Sequence, residues 1–356
     1  MTRLETGEPH IPPPINVKNA VKKALDGNKT FYSHSKGIYQ LRIELCNYYN
    51  QLYDVDFKPE TDILITPGAK QALLYTILGS VDAGEEVIIP IPSWVTYSEI
   101  VKIAGGNPIL VDCEENHDFE LSSDIIDDNL NEKTKVVIIN SPNNPTGKII
   151  PQKTLKEINE ICLENDILLV CDEIYDRMIY DEKHHNSILS VNSNLNNCVL
   201  INGFSKTYSM TGWRLGYIIS NSTLINVFTK FQQNSITCPN TFAQFGAIEA
   251  LSGGGDFVRE SLDIYQKNRD YLLSEIEKLK NFDIIKPEGG LYVFIKVSKV
   301  TTDTYDFCFD LLERFKISLL PGEEFGNNTK EYVRICLGTN LENLEKFIAI
   351  LKNNYE

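Results

Sequence analysis

The chain has 356 residues, 42% of them apolar and 23% charged, the balance of a soluble globular protein long enough for two domains. Its 34 basic and 49 acidic residues leave a net charge of −15, and no basic run occurs anywhere, which speaks against nucleic acid or an anionic membrane as partner. No apolar run approaches the ~18 residues of a membrane span and no signal pattern opens the chain, so a soluble, cytoplasmic protein is expected.

Short apolar runs alternate with helical patterns along the first 255 residues. The runs at 63–66, 86–90, 108–111, 135–139, 167–171 and 199–202 read as strands buried on both faces, hence a mostly parallel sheet. Amphipathic stretches such as 154–163 lie between them. This alternation predicts an α/β fold: a large domain over residues 17–255, its sheet flanked by helices, with ligands beyond the carboxyl ends of the strands. From about Asp256 the pattern changes to a long amphipathic helix, 258–279, and then a strand within Gly289-Gly290-Leu-Tyr-Val-Phe-Ile-Lys296. Residues 256–356, together with 1–16, are assigned to a smaller α+β domain. The eight cysteines are scattered, several inside apolar runs where a thiol acts as a small hydrophobe, so no disulfide framework is expected and the compartment is a reducing one. His184-His185 lies in a polar stretch and reads as an exposed loop rather than a metal site.

Candidate chemical groups fall just beyond the strand ends. Thr66-Pro-Gly-Ala-Lys-Gln-Ala-Leu73 reads as strand end, glycine turn and helix start, where free amides and the helix dipole suit an anion; an ordinary helix cap is the alternative. Trp94 follows the 86–90 run and is either core or a stacking surface for a planar ring. Asn140-Ser-Pro-Asn-Asn-Pro-Thr-Gly147 is a tight loop whose asparagines donate without carrying charge, or simply a turn. Asp172, at the end of a strongly apolar run, is a strand-end cap or a buried carboxylate that needs a cation. The segment Asn202-Gly-Phe-Ser-Lys-Thr-Tyr-Ser-Met-Thr-Gly-Trp-Arg214 sets Lys206 in a turn of small polar residues, with Arg214 eight positions on. A lysine there is a solvated surface cation, or a nucleophile toward a carbonyl cofactor, with Ser205 and Arg214 able to hold a phosphate beside it. Arg334 is a lone charge inside Tyr332-Val-Arg-Ile-Cys-Leu-Gly338 and needs an anion, either a ligand or a nearby Asp or Glu.

Together these segments closely resemble the fold-type-I pyridoxal-phosphate-dependent aminotransferases of class I/II, the aspartate aminotransferase family. The resemblance runs from Gly7 to Gly338, with the motifs in family order. It implies an aspartate aminotransferase-like fold and pyridoxal 5′-phosphate as cofactor. Lys206 would bind the cofactor as a Schiff base and move a proton at the substrate's α-carbon. Asp172 would pair with the protonated pyridine nitrogen and keep the ring an electron sink. The resemblance assigns Asn144 and Tyr175 to the phenolic oxygen O3′, Trp94 to the pyridine face, and Gly68, Ala69, Lys70, Ser205 and Arg214 to the phosphate. Tyr97 is expected to support Asp172. Arg334 would fork onto the substrate α-carboxylate, helped by a backbone amide at Gly7, with Trp94 and Asn144 also bordering the substrate. Tyr32 matches the tyrosine that reaches the partner subunit's phosphate, which implies a homodimer with shared active sites.

The implied reaction is ping-pong transamination between an L-amino acid and a 2-oxo acid. In the best-known dicarboxylate enzymes a partner-subunit arginine grips the side-chain carboxylate; the matching region here, Asn234-Ser-Ile-Thr-Cys-Pro239, has Ile236 and no arginine. A prokaryotic subgroup instead uses a lysine at the position of Lys70, so Lys70 serves either an acidic side chain or the phosphate alone. Aspartate with 2-oxoglutarate is the leading expectation. Aromatic, alanine or kynurenine transamination and carbon–sulfur lyase chemistry use the same fold. A DNA-binding regulator with an aminotransferase-like sensor is not expected, since too few residues precede Gly7 for a helix-turn-helix module. The chain also departs from the family there: only six residues stand ahead of Gly7, where members carry a longer arm that crosses to the partner or helps close the site.

Overall fold

A computed structural model describes all 356 residues. Seven strands form the main sheet: β1 (Ile63–Thr66), β2 (Glu86–Ile91), β3 (Asn107–Asp112), β4 (Thr134–Asn140), β5 (Leu168–Asp172), β6 (Cys198–Gly203) and β7 (Gly216–Ser220). Their order across the sheet is β1-β7-β6-β5-β4-β2-β3. Every pairing from β6 through β3 is parallel; β7 runs antiparallel to both β6 and β1. All the expected strand runs are present. The antiparallel β7 was not among them, although its five residues are all buried.

The apolar runs are strands because both faces of this sheet are covered. Along β5, Leu169 and Cys171 enter one core with Ile158, Cys162 and Leu200, whereas Val170 enters the other with Ile138, Val199 and Ile201. Parallel pairing puts the carboxyl ends of β4, β5 and β6 side by side, with Asn140 in register with Asp172.

A second sheet, β8 (Asp283–Ile285), β9 (Tyr292–Lys296), β10 (Leu320–Pro321) and β11 (Tyr332–Cys336), is antiparallel in the order β10-β11-β9-β8. The long helix that precedes it spans Gly255–Ile276. It starts and stops three residues before the expected bounds, because the chain at Lys278 and Leu279 closes into tight turns onto Glu275 and Ile276. The helix Thr304–Phe315 begins at Asp303, whose carboxylate accepts from the amides of Tyr305 and Asp306, a cap worth about 1 kcal/mol. At the N-terminus, Thr2–Arg3 pairs in parallel with Ile317–Ser318, and Leu4 joins the core of this second sheet beside Leu291, Val293 and Ile335. No helix is long and apolar enough to cross a membrane.

One expectation is corrected. His184 is exposed, but His185 is not part of an exposed loop: its side chain is only 4% exposed and its Nε2 lies 2.9 Å from Glu173. Glu173 is itself buried at the end of β5, and it draws donors inward from a polar stretch: the Ser187 hydroxyl, the Ile188 amide and His185.

Candidate active site

The ends of β4, β5 and β6 open into a cavity of about 480 Å³ closed on its far side by β9, β11 and residues near the N-terminus. It is lined by Gly7, Ala69, Lys70, Trp94, Tyr97, Asn144, Asp172, Tyr175, Ser205, Lys206, Arg214 and Arg334. Gly68 adjoins it at the start of the helix Ala69–Leu78. Of the residues singled out from the sequence, Tyr32 alone stands apart: it is 84% exposed and does not line the cavity.

Asp172 ends β5 and is buried. Its Oδ2 accepts from the Tyr97 hydroxyl at 2.8 Å and its Oδ1 from the Ile174 amide at 3.1 Å. No cationic side chain pairs with it, and burial pushes its pKa up to about 6 against the pull of those donors. A buried carboxylate without a counterion fits a cationic ligand atom. Lys206, three residues past β6, donates from Nζ to the carbonyl of Gly7.

Arg334 sits on β11, only 4% exposed. No Asp or Glu pairs with it, so the structural ion pair considered above is not formed. Its guanidinium instead stacks 4.0 Å from the ring centre of Tyr292 and 5.0 Å from that of Phe325. One Nη donates to Asn144 Oδ1 at 3.0 Å, the other to the Glu5 carbonyl at 2.6 Å, and Nε has no partner. A buried arginine with a spare donor and no acid suits a ligand carboxylate. The bond from Arg334 also orients Asn144, since an amide whose oxygen is taken presents its NH₂ elsewhere.

The turn at Gly68 supplies an anion cradle. Gly68 has φ +88°, and a side chain there would fall 2.5 Å from Arg214 Nη2. Glycine thus lets Arg214 lie directly on the start of the helix. Ala69 and Lys70 are the first residues of that helix, whose opening amides have no carbonyl a turn back within it, and the only side-chain donation from Arg214 goes to the Thr211 carbonyl at 2.8 Å. Free amides, the helix dipole and an uncommitted guanidinium together suit a phosphate. Lys70, on the same turn, holds Nζ 4.8 Å over the Trp94 ring; burial, then Arg214, lowers its pKa, and it has no acidic partner. Tyr97 packs edge-on against the same indole.

From the sequence, Asn140 had no role beyond that of a donor in its loop, and nothing pointed to Tyr292, Thr211, Glu324 or Phe325. Asn140 donates to the Asp172 carbonyl at 2.9 Å and accepts from the Asn144 amide at 2.9 Å, so one side chain locks the 140–147 loop to β5. Tyr292 lay inside an expected strand, where nothing local marks it as facing a cavity.

The sequence matches the family of class I and II aminotransferases over residues 1–351. A probable aspartate aminotransferase of Methanocaldococcus jannaschii is 37% identical over 99% of this chain and 93% of its own length. Among solved structures, the aromatic aminotransferase of Pyrococcus horikoshii OT3 superposes with a TM-score of 0.94 at 34% identity, covering 98% of this chain and 95% of its own. The aspartate aminotransferase of Thermus thermophilus with maleate superposes with a TM-score of 0.93 at 32% identity, covering 99% and 92%. Lys206, Asp172, Asn144 and Arg334 border one cavity in a chain whose sequence and fold are those of amino-group transferases. The chain belongs to the class I and II aminotransferases, with the aspartate aminotransferase fold.

Proposed function

We propose that this enzyme uses pyridoxal 5′-phosphate to transaminate an acidic L-amino acid, aspartate foremost, with 2-oxoglutarate as acceptor. One observation carries the proposal: the cavity that Lys206 lines also holds a buried carboxylate without a cation, Asp172, and a buried guanidinium without an acid, Arg334. The unmatched charges complement a pyridinium nitrogen and an α-carboxylate. Gly68, Ala69, Lys70, Ser205 and Arg214 would hold the phosphate, Trp94 the ring face, and Asn144 and Tyr175 the phenolic oxygen. When bound, the cofactor supplies an electron sink for a carbanion at the substrate's α-carbon.

Asp172 keeps a proton on the ring nitrogen. Arg334 and the Gly7 amide fix the α-carboxylate, which orients the α-C–H bond. Lys206 Nζ would hold the cofactor, and the same amine, when free, would take the substrate's α-proton as general base and return it as general acid. The same residues serve the 2-oxo acid in reverse, so donor and acceptor alternate in one site. Tyr175 stays a phenol, because burial raises its pKa far above the usual value, and it acts as a donor.

Lys70 is the group that reads the acidic side chain. It has no acid of its own, it stands over Trp94 at the cavity wall, and a structural neighbour from Thermus thermophilus carries the dicarboxylate maleate. The Pyrococcus neighbour is named for aromatic substrates, which makes aromatic donors the second reading. Tyr32 and the adjoining Phe31, 84% and 79% exposed, fit a homodimer in which Tyr32 reaches the partner's phosphate. Eight free cysteines fit a cytoplasmic location. Initial rates of 2-oxoglutarate-dependent transamination across a panel of amino acids test the proposal. Aspartate should lead; an aromatic or small apolar donor in first place would overturn the acidic preference, and release of ammonia without a new amino acid would indicate a lyase.

A further inference from the structure

Tyr292, at the start of β9, touches three working parts of the cavity at once. Its hydroxyl oxygen lies 3.0 Å from that of Tyr175, with either able to donate, and it has no other hydrogen-bond partner. The Arg334 guanidinium stacks on its ring. On a further side the backbone of Gly7 presses against it so closely that any side chain at Gly7 would overlap the Tyr292 hydroxyl. Both tyrosines are buried, Tyr292 3% and Tyr175 4% exposed, so water does not compete for the bond.

A tyrosine hydroxyl has one proton to give. On the cofactor reading above, which this inference rests on, Tyr175 faces an anionic phenolic oxygen that can only accept, so the proton of Tyr175 is directed there. The contact between the two tyrosines then persists only with Tyr292 as donor. We propose that Tyr292 and Tyr175 form a two-hydroxyl relay toward O3′, with Tyr292 a positioning residue that strengthens Tyr175 as a donor. Successive hydrogen bonds polarise one another, most of all where water is excluded. A stronger donor at O3′ withdraws negative charge from beside Lys206 Nζ and makes the proton held on that nitrogen easier to lose. The ring of Tyr292 has a separate duty as the face on which Arg334 rests.

Two variants separate these roles. Tyr292→Phe keeps the ring and deletes the hydroxyl; the readout is the pH at which the visible absorption band of the pyridoxal-phosphate-loaded protein titrates. The midpoint should rise by about 0.1 to 0.6 pH unit, roughly a tenth to a third of one charge-assisted hydrogen bond. The KM for 2-oxoglutarate should change less than about twofold, whereas Tyr292→Leu, which removes the face under Arg334, should raise it about tenfold. In a Tyr175→Phe background, adding Tyr292→Phe should leave the midpoint where it was, because the relay is already cut. An unmoved or lowered midpoint in Tyr292→Phe, or the same rise in the Tyr175→Phe background, overturns the relay while leaving the cofactor assignment intact. Absence of any visible band in the wild-type protein mixed with pyridoxal phosphate overturns both.

Discussion

The Tyr97 hydroxyl donates a 2.8 Å hydrogen bond to Oδ2 of Asp172, with both side chains buried. Tyr97 belongs to the helix Thr96–Ile103 and Asp172 ends β5, so the bond ties a helix to the strand end that carries the site's negative charge. The Ile174 amide serves the other carboxylate oxygen. A carboxylate held this way is fixed in direction but not neutralised, which leaves it ready for a ring nitrogen bearing a proton.

Tyr97→Phe removes one of those two donors. A hydrogen bond to a charged group contributes about 1.5–3 kcal/mol, so the dissociation constant of pyridoxal phosphate should rise roughly 10- to 100-fold. Equilibrium titration of the cofactor-free variant by absorbance checks this; unchanged affinity would remove Tyr97 from the support of Asp172.

Burial raises the pKa of Asp172 to about 6 and that of Asp176 also to about 6. Between the usual aspartate value and about 6, the folded protein therefore binds more protons than the unfolded chain, and its stability without cofactor falls as pH rises through that window. A cation against Asp172 relieves that residue's share. The gain in Tm on adding pyridoxal phosphate should accordingly be larger at about pH 7.5 than at about pH 5. An equal or larger gain at the lower pH contradicts a cation paired with Asp172.

Lys70→Ala tests substrate choice. Loss of a charge-assisted hydrogen bond of about 1.5–3 kcal/mol should lower kcat/KM for aspartate roughly 10- to 100-fold. Phenylalanine should lose no more than about threefold. Equal losses for the two would return Lys70 to phosphate support alone.

His185 contributes to stability rather than chemistry. Burial disfavours its imidazolium, but the Glu173 carboxylate outweighs burial and the pKa ends above the usual value. The contribution is therefore full below the unfolded pKa and is lost as pH rises through the folded one. His185→Ala leaves Oε2 of Glu173 bare in the interior and should cost about 3–5 kcal/mol by urea unfolding near neutrality. The deficit should narrow at alkaline pH, and a pH-independent deficit would mean that the pair is not ionic.

The strands and the main motifs were legible because both signals are local. A strand buried on two faces is an unbroken apolar run, and each motif occupies a few consecutive residues at a strand end. What stayed hidden depends on pairs far apart in the chain. The bond between Tyr175 and Tyr292 spans 117 residues, and that between Asn140 and Asp172 spans 32. Nothing local marks Tyr292 as facing a cavity rather than core. His185 was misread because polar neighbours imply a loop, and only the distant, buried Glu173 turns it inward. β7 escaped because no α-helix separates it from β6, and its antiparallel course breaks the alternation of strand and helix.

The most direct measurement is chemical. The protein is incubated with pyridoxal phosphate, reduced with borohydride and digested, and the peptide carrying the added phosphopyridoxyl mass is sequenced by mass spectrometry. The label should fall on Lys206 alone, and Lys206→Ala should take up no stable label and lose turnover while still binding some cofactor through the Gly68–Arg214 cradle. Label on another lysine, or near-normal transamination by Lys206→Ala, would contradict the assignment of this cavity as the active site.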